Sequence, residues 1–323
     1  MTTSDFIAQL NEWGRERVPF LFLIDFELEK PKVWRLAEVN PDEILYSFNG
    51  FSNVPTNTQI NGGVRIKSFP ISFEEYKAKF DLVFGHLRYG DSFLLNLTVK
   101  SRIELDDSLR DLFSHAKAKY KFWFKDEFLC FSPETFVQIR NGKIFSHPMK
   151  GTIDASIDGA EKILLENEKE LAEHITIVDL IRNDLSRVAS NVSVSRFRYL
   201  DKIVTQNRSL LQVSSEIVGD LEPNYLERLG ELILSLLPAG SISGAPKKKT
   251  CEIIRSAEEE KRGYYTGVFG YFDGENLDSG VAIRFIENAE GKTFYRSGGG
   301  ITSQSIDREE YEEVIQKIYV PVA

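Results

Sequence analysis

Between residues 121 and 147 the chain repeats one pattern four times: a short apolar or aromatic run followed by a polar break. The runs cover 122–124, 128–131, 136–139 and 144–147, and Asn141-Gly142 before the last is a hairpin turn signal. Further strands are expected near 18–26, 33–36, 92–98, 192–197, 210–218, 267–272, 279–287 and 293–297. Helical periodicity marks 6–16, 72–87, 159–188, 224–236, 247–260 and 308–319. Ser72 with Glu75 three residues later reads as a capping box, and Gly90-Asp91 stops that helix. Residues 48–63 are rich in turn formers. Strands neighbour strands and helices neighbour helices, which predicts an α+β fold rather than strict βαβ alternation.

The 323 residues suit one large domain or two intimately packed lobes. The formal charge of −9 argues against a dedicated nucleic-acid binder. The longest apolar runs, 19–24 and 232–237, are far short of the about 20 residues a membrane helix needs. Met1-Thr-Thr-Ser-Asp5 has no basic region followed by an apolar core, so no secretory signal is expected. Cys130 and Cys251 belong to no CxxC and build neither a disulfide framework nor a thiolate zinc site. The expectation is a soluble, cytoplasmic, reduced protein with no nucleic-acid or membrane partner.

Gly298-Gly299-Gly300 follows an apolar run; three missing Cβ atoms would let backbone N–H groups approach a ligand, or simply form a tight turn. Glu310, Glu313 and Lys317 share a helix face, and Glu170 and Glu173, followed by His174, form a second carboxylate pair. Two such pairs suit a hard divalent cation completed by substrate oxygens and water, and equally suit two solvated helix faces. Lys150 ends a strand and is a nucleophile only if its surroundings favour the neutral amine. Arg284, in an apolar run, needs an anionic partner, either a structural carboxylate or a substrate carboxylate.

Taken in order, these residues fall in stretches that resemble the chorismate-utilising enzymes, most closely the component I branch of aminodeoxychorismate (para-aminobenzoate) synthases. The stretches are Gly90-Asp91 with Asn96-Leu97-Thr98, Ser132-Pro133-Glu134, and Pro148-Met149-Lys150-Gly151-Thr152. Glu170-Leu171-Ala172-Glu173-His174 runs into Asp179-Leu180-Ile181-Arg182-Asn183-Asp184. Pro238-Ala239-Gly240-Ser241-Ile242-Ser243-Gly244-Ala245-Pro246-Lys247, Arg262-Gly263-Tyr264-Tyr265-Thr266-Gly267, Ala282-Ile283-Arg284, the three glycines and Glu310-Tyr311-Glu312-Glu313 complete the set.

The resemblance implies a two-lobed sandwich of large, mostly antiparallel sheets with helices outside and the site between lobes. It implies a shortened N-terminal region, 1–71, packed on a chorismate-binding catalytic core, 72–323. It implies Mg²⁺ as cofactor on Glu173 and Glu313, with water held by Glu170 and Glu310. It implies a chorismate cradle of Gly151, Thr152, Ser241, Ser243, Tyr265, Arg284, Gly298, Gly299, Gly300 and Lys317. Lys150 is then the covalent nucleophile and Glu134 the general acid. The reaction implied is chorismate plus ammonia giving 4-amino-4-deoxychorismate, on the folate branch. Ammonia would come from a separate glutaminase subunit, component II, because neither cysteine looks like a glutaminase nucleophile.

A few positions separate the branches. Anthranilate synthases resemble this chain but carry Ala where Lys150 stands. Isochorismate and salicylate synthases place a Lys base where this chain has Leu94, which cannot deprotonate water. Gln212 replaces a His that assists pyruvate elimination in anthranilate synthases, and Ser241 replaces a commoner Thr. Tryptophan-regulated relatives use a Leu-Leu-Glu-Ser-type segment near the N-terminus; the nearest apolar stretch here is Ile44-Leu45-Tyr46-Ser47-Phe48-Asn49. The alternatives are an anthranilate synthase component I, a chorismate-binding protein without turnover, and a docking subunit for a glutaminase.

Overall fold

The computed structural model describes residues 1–54, 65–204 and 209–321. The turn-rich stretch expected at 48–63 lies largely outside them. Two nine-stranded sheets, antiparallel at every pairing described, form the body. The first runs, in spatial order, Met149–Asp154, Ser209–Asp220, Lys143–Ser146, Thr135–Arg140, Leu277–Val281, Val268–Phe272, Phe20–Ile24 and Lys32–Arg35, with Ser190–Val204 also beside Ser209–Asp220. The second runs Gly244–Ala245, Leu94–Leu105, Lys292–Ile301, Phe285–Ala289, Phe128–Ser132, Tyr120–Phe124, Ile44–Phe48 and Phe51–Ser52, with Ile66–Phe69 beside Leu94–Leu105. Strands from the first 71 residues thus extend both sheets.

Burial on both faces explains the continuous apolar run Phe20-Leu21-Phe22-Leu23-Ile24. Phe20, Phe22 and Ile24 face the helices Thr3–Arg15 and Leu229–Ser235, while Leu21 and Leu23 join the aromatic layer between the sheets. In that layer Phe269 of the first sheet lies with its ring centroid 5.4 Å from that of Phe122 and 5.6 Å from that of Phe48, both of the second. The second sheet is covered by Phe73–Tyr89, Lys247–Glu258 and Asp307–Gln316, which contribute Tyr76, Ile253 and Val314 to one cluster. Ser72 caps the first of these helices by accepting from the Glu75 N–H. Among the described residues no helix is long and apolar enough to cross a membrane.

Three expectations change. The helix at 224–236 is a 3₁₀ turn, Tyr225–Arg228, followed by the helix Leu229–Ser235. The helix at 159–188 is two helices, Ala160–Glu166 and Glu168–Leu185, broken at Asn167, whose extended backbone ends one and whose side chain caps the other. The strand at 279–287 is also two, Leu277–Val281 and Phe285–Ala289, in different sheets. Between them Arg284 adopts a left-handed φ of 52°. Periodicity cannot register such a crossing, because the run Val281-Ala282-Ile283 stays apolar through it.

Candidate active site

Lys150 sits where the Met149–Asp154 strand is bulged. Lys150 pairs with Val213 and Thr152 with Gln212, leaving Gly151 as the extra residue at φ +76°. The left-handed backbone there favours glycine, and a Cβ would crowd the ends of two side chains, 3.0 Å from Leu164 and 3.3 Å from Glu170 Oε2. Lys150 Nζ donates to Glu173 Oε2 at 2.7 Å. Burial alone would lower the Lys150 ammonium, but the carboxylates of Glu173, Glu170 and Glu313 outweigh it and hold the amine protonated. The neutral amine that nucleophilic work needs is therefore not the state present. Thr152 is exposed, and its hydroxyl accepts from Gln212 Nε2 at 3.4 Å.

The three glycines are not a turn. They lie inside the Lys292–Ile301 strand, with Gly298, Gly299 and Gly300 opposite Thr98, Leu97 and Asn96. Space demands glycine at 298, where a Cβ would lie 2.7 Å from Leu97 O, while positions 299 and 300 lie within contact range of the charged groups. A Cβ on Gly299 would lie 3.5 Å from Glu310 Oε2, 3.8 Å from Glu313 Oε1 and 3.8 Å from Lys317 Nζ. A Cβ on Gly300 would lie 3.3 Å from Leu94 and 3.5 Å from Lys150 Nζ. Lys317 donates to Gly298 O at 2.8 Å and pairs with Glu313 at 2.6 Å. Burial, with Arg284 and Lys150 nearby, pushes Lys317 down despite that glutamate. Both carboxylate pairs thus converge on the glycine strand and Lys150.

Glu134 follows the Phe128–Ser132 strand and fixes its own N–H on Ser132 Oγ at 3.0 Å. Ser241, in the tight 3₁₀ turn Gly240–Ile242, donates its hydroxyl to Glu134 Oε1. Burial pushes the Glu134 carboxyl up, opposed by Ser241 and by the charges of Lys150 and Arg284. Ser243 is buried and donates to Ala239 O at 2.7 Å, inside its own turn. Tyr265 is buried against Phe285, and burial pushes its hydroxyl up to about 12. Arg284 has no carboxylate within ion-pair distance among the described residues; its Nε donates to Tyr319 Oη at 3.4 Å. His174 is a core histidine: Nε2 lies 2.7 Å from Ser215 Oγ, Nδ1 is buried without a hydrogen-bond partner among the described residues, and burial with Arg198 and Lys150 nearby pushes its pKa down to about 4.

The sequence reading assigned no role to the group behind the cleft. Arg262 and Glu258 form a fully buried pair at 2.6 Å. Arg262 also donates to Ile242 O at 2.9 Å and Asn96 O at 2.7 Å, while Glu258 Oε1 accepts from Thr98 N and Oγ1. One ion pair therefore ties the Ser241 turn to the strand facing the glycines. Arg262 stands in a stretch quoted above, but Glu258 is one charge in the run Glu258-Glu259-Glu260, with nothing in the sequence to single it out.

Among the described residues no three His, Cys, Asp or Glu side chains converge as a metal cluster. The donor chemistry is that of a hard cation: carboxylate oxygens of Glu173 and Glu313, each at present on a lysine.

A family model described as chorismate binding enzyme matches residues 47–323. An uncharacterized PabA-like protein of Pasteurella multocida is 51% identical over 323 residues, covering all of both chains. Aminodeoxychorismate synthase component 1 of Klebsiella aerogenes is 34% identical over 262 residues, 77% of this chain and 57% of that protein. The crystal structure of anthranilate synthase component I from Streptococcus pneumoniae superposes with a TM-score of 0.66 at 29% identity, over 80% of this chain and 59% of that one. The bulged lysine strand, the glycine strand beneath two carboxylate-bearing helices and the match over most of the chain have one common reading: this protein belongs to the chorismate-binding enzyme family.

Proposed function

We propose that the chain aminates chorismate at C4, giving 4-amino-4-deoxychorismate and water, with ammonia delivered by a separate glutaminase subunit. The observation that carries this reading is Lys150, beside Gly300 and Glu173, with the raised carboxyl of Glu134 within electrostatic reach. Leu94, which shares the Gly300 position with Lys150, offers no base for a water-directed reaction.

Mg²⁺ held by Glu173 and Glu313 would supply a carboxylate-binding Lewis acid to the substrate. The chain's own groups do the rest. Arg284 and Lys317 give the dicarboxylate local positive charge in an acidic protein. Lys150 acts as the free amine, a state its burial favours once Glu173 is engaged elsewhere. Its nitrogen bonds to C2 as the C4 hydroxyl departs, and Glu134 gives that hydroxyl a proton so that water leaves. Ammonia then bonds to C4, the C2–nitrogen bond breaks to release Lys150 as the neutral amine, and Glu134 takes back a proton from the nitrogen now on C4.

The test is to incubate the pure chain with chorismate, Mg²⁺ and ammonium and to weigh the product. Aminodeoxychorismate is expected, with none from glutamine unless a glutaminase is added. Anthranilate with pyruvate, or unchanged chorismate, would overturn the reading. Excess chelator should stop turnover, and Glu173→Gln or Glu313→Gln should each cripple it by removing an anionic ligand of a hard cation.

A further inference from the structure

Arg284 is a cationic cleft group with no carboxylate partner among the described residues, and the side chain that addresses it comes from the C-terminal tail. The tail leaves the Asp307–Gln316 helix and is fixed along its length. Tyr319 O accepts from the buried Tyr295 Oη at 3.0 Å, Lys117 N donates to Pro321 O at 2.7 Å, and Ile318 and Val320 pack into an apolar cluster. The Tyr319 backbone is therefore held in place by groups that are not part of the cleft, and its side chain extends from that anchored segment, the residue being 41% exposed. Its hydroxyl accepts from Arg284 Nε at 3.4 Å, and its ring centroid lies 5.3 Å from the guanidinium carbon.

These contacts use the Nε edge of the guanidinium and set its carbon over the tyrosine ring. Among the described residues neither Nη atom has a hydrogen-bond partner. A guanidinium held by Nε and by a ring face presents its remaining pair of N–H groups as a planar fork, the geometry that binds a carboxylate through two bonds. Arg284 O accepts from Phe131 N at 3.2 Å and Glu134 O accepts from Val281 N at 3.1 Å, so the two residues stand on adjoining segments, and the guanidinium acts on the charges of Glu134 and Lys317.

We propose that Tyr319 is a positioning residue for substrate binding: it orients Arg284 so that the Nη pair receives a substrate carboxylate. This rests on the reading that the cleft takes chorismate. Arginine alone can adopt many rotamers, and fixing one in advance lowers the cost of each bond it makes.

The test is a double-mutant cycle read by calorimetric titration of chorismate into wild type, Tyr319→Phe, Arg284→Lys and the double variant. Phe keeps the ring and the backbone acceptor and removes only the hydroxyl. Tyr319→Phe should weaken binding about fivefold in the wild-type background, the scale of one ordinary hydrogen bond, and less than about twofold beside Arg284→Lys. KM should rise by the same factor with kcat nearly unchanged. Equal factors in both backgrounds, unchanged binding, or tighter binding (a tyrosine that plugs the arginine) would each overturn the Tyr319 assignment while leaving the functional reading intact. Wild type that fails to bind chorismate overturns both. Melting temperatures of all four proteins identify a variant that has lost its fold, and Tyr319→Leu then repeats the cycle.

Discussion

The layer between the two sheets is buried, the cleft along the glycine strand is partly open to solvent, and they are lined by opposite means. Between the sheets, Phe48, Phe122, Phe128 and Phe269 close the space with rings, and none of them brings a charge. In the cleft, Lys150, Glu173, Glu313, Lys317 and Glu134 close it with charge on charge. The first arrangement lowers free energy by removing apolar surface from water. The second desolvates ions and gains from pairing only part of what desolvation costs. A chain keeps the second kind of packing where the charges have work to do, so the two regions should respond to mutation in different currencies, one in stability and one in rate.

The cleft holds the same contrast in miniature. Lys150 and Lys317 are both partly buried and both sit on a glutamate. Lys150 faces three carboxylates and is held protonated; Lys317 is pushed down by burial, and Arg284 and Lys150 add to that. Burial alone therefore does not make a nucleophile of Lys150. Its carboxylate partners must be redirected first, which places control of the lysine in the hands of whatever binds Glu173.

The largest expected effect is Lys150→Ala. Turnover should fall by about 10³, roughly 4 kcal/mol of barrier, while chorismate binding and the melting temperature change little. Near wild-type turnover by this variant would remove Lys150 from the chemistry. The mirror experiment is Phe48→Ala, which deletes a fully buried ring packed on Phe269 and Tyr271. It should lower the unfolding free energy by about 3 kcal/mol, measured by denaturant titration, with KM and kcat at a permissive temperature unchanged. If Phe48→Ala lowered kcat as strongly as stability, the separation of the two regions would fail.

A smaller effect sharpens the role of Glu134. As a general acid it works while protonated, so the rate should fall as pH rises through its raised pKa. Ser241 donates to the carboxylate and stabilises the ionised form. Ser241→Ala should therefore move the alkaline limb of the kcat profile to higher pH. A limb that moves to lower pH, or stays put, would assign it to another group.

The two regions also differ in how far the sequence discloses them. The aromatic layer and helix faces follow from periodicity, because strand alternation and helical spacing are local and apolar burial is the same wherever it occurs. The cleft is not local: Lys150, Glu173, Glu313 and Glu134 arrive from four segments, and residue type alone left each open to a solvated-surface reading. Motif order singled them out. Arg284 was read as lying within a strand, but it occupies a crossing between sheets that no periodicity marks. Tyr319 and Glu258 left no signal, since one acts on a guanidinium and the other beneath a turn, both set only by the folded chain.

The smallest expected effect is no effect, and it tests the dry layer directly. Tryptophan-regulated relatives of the kind the sequence resembles use an N-terminal Leu-Leu-Glu-Ser-type segment to hold the amino acid. Here the stretch at 44–49 supplies the Ile44–Phe48 strand, paired with Tyr120–Phe124, and its Ile44, Tyr46 and Phe48 side chains fill the layer between the sheets. Phe48 lies with its ring centroid 5.6 Å from that of Phe269, and Tyr46 5.6 Å from that of Phe48, so an indole must displace rings already packed at ordinary contact distances. Its ammonium and carboxylate would also need charged partners, and the stretch offers no acidic or basic side chain. Either requirement alone costs several kcal/mol by the scale of overpacking or of an unpaired buried charge. Micromolar tryptophan should therefore leave the ammonia-dependent rate unchanged. Half-inhibition in that range would mean that the rings of this layer yield to a ligand, and that the region here set against the cleft as inert packing is a second binding site.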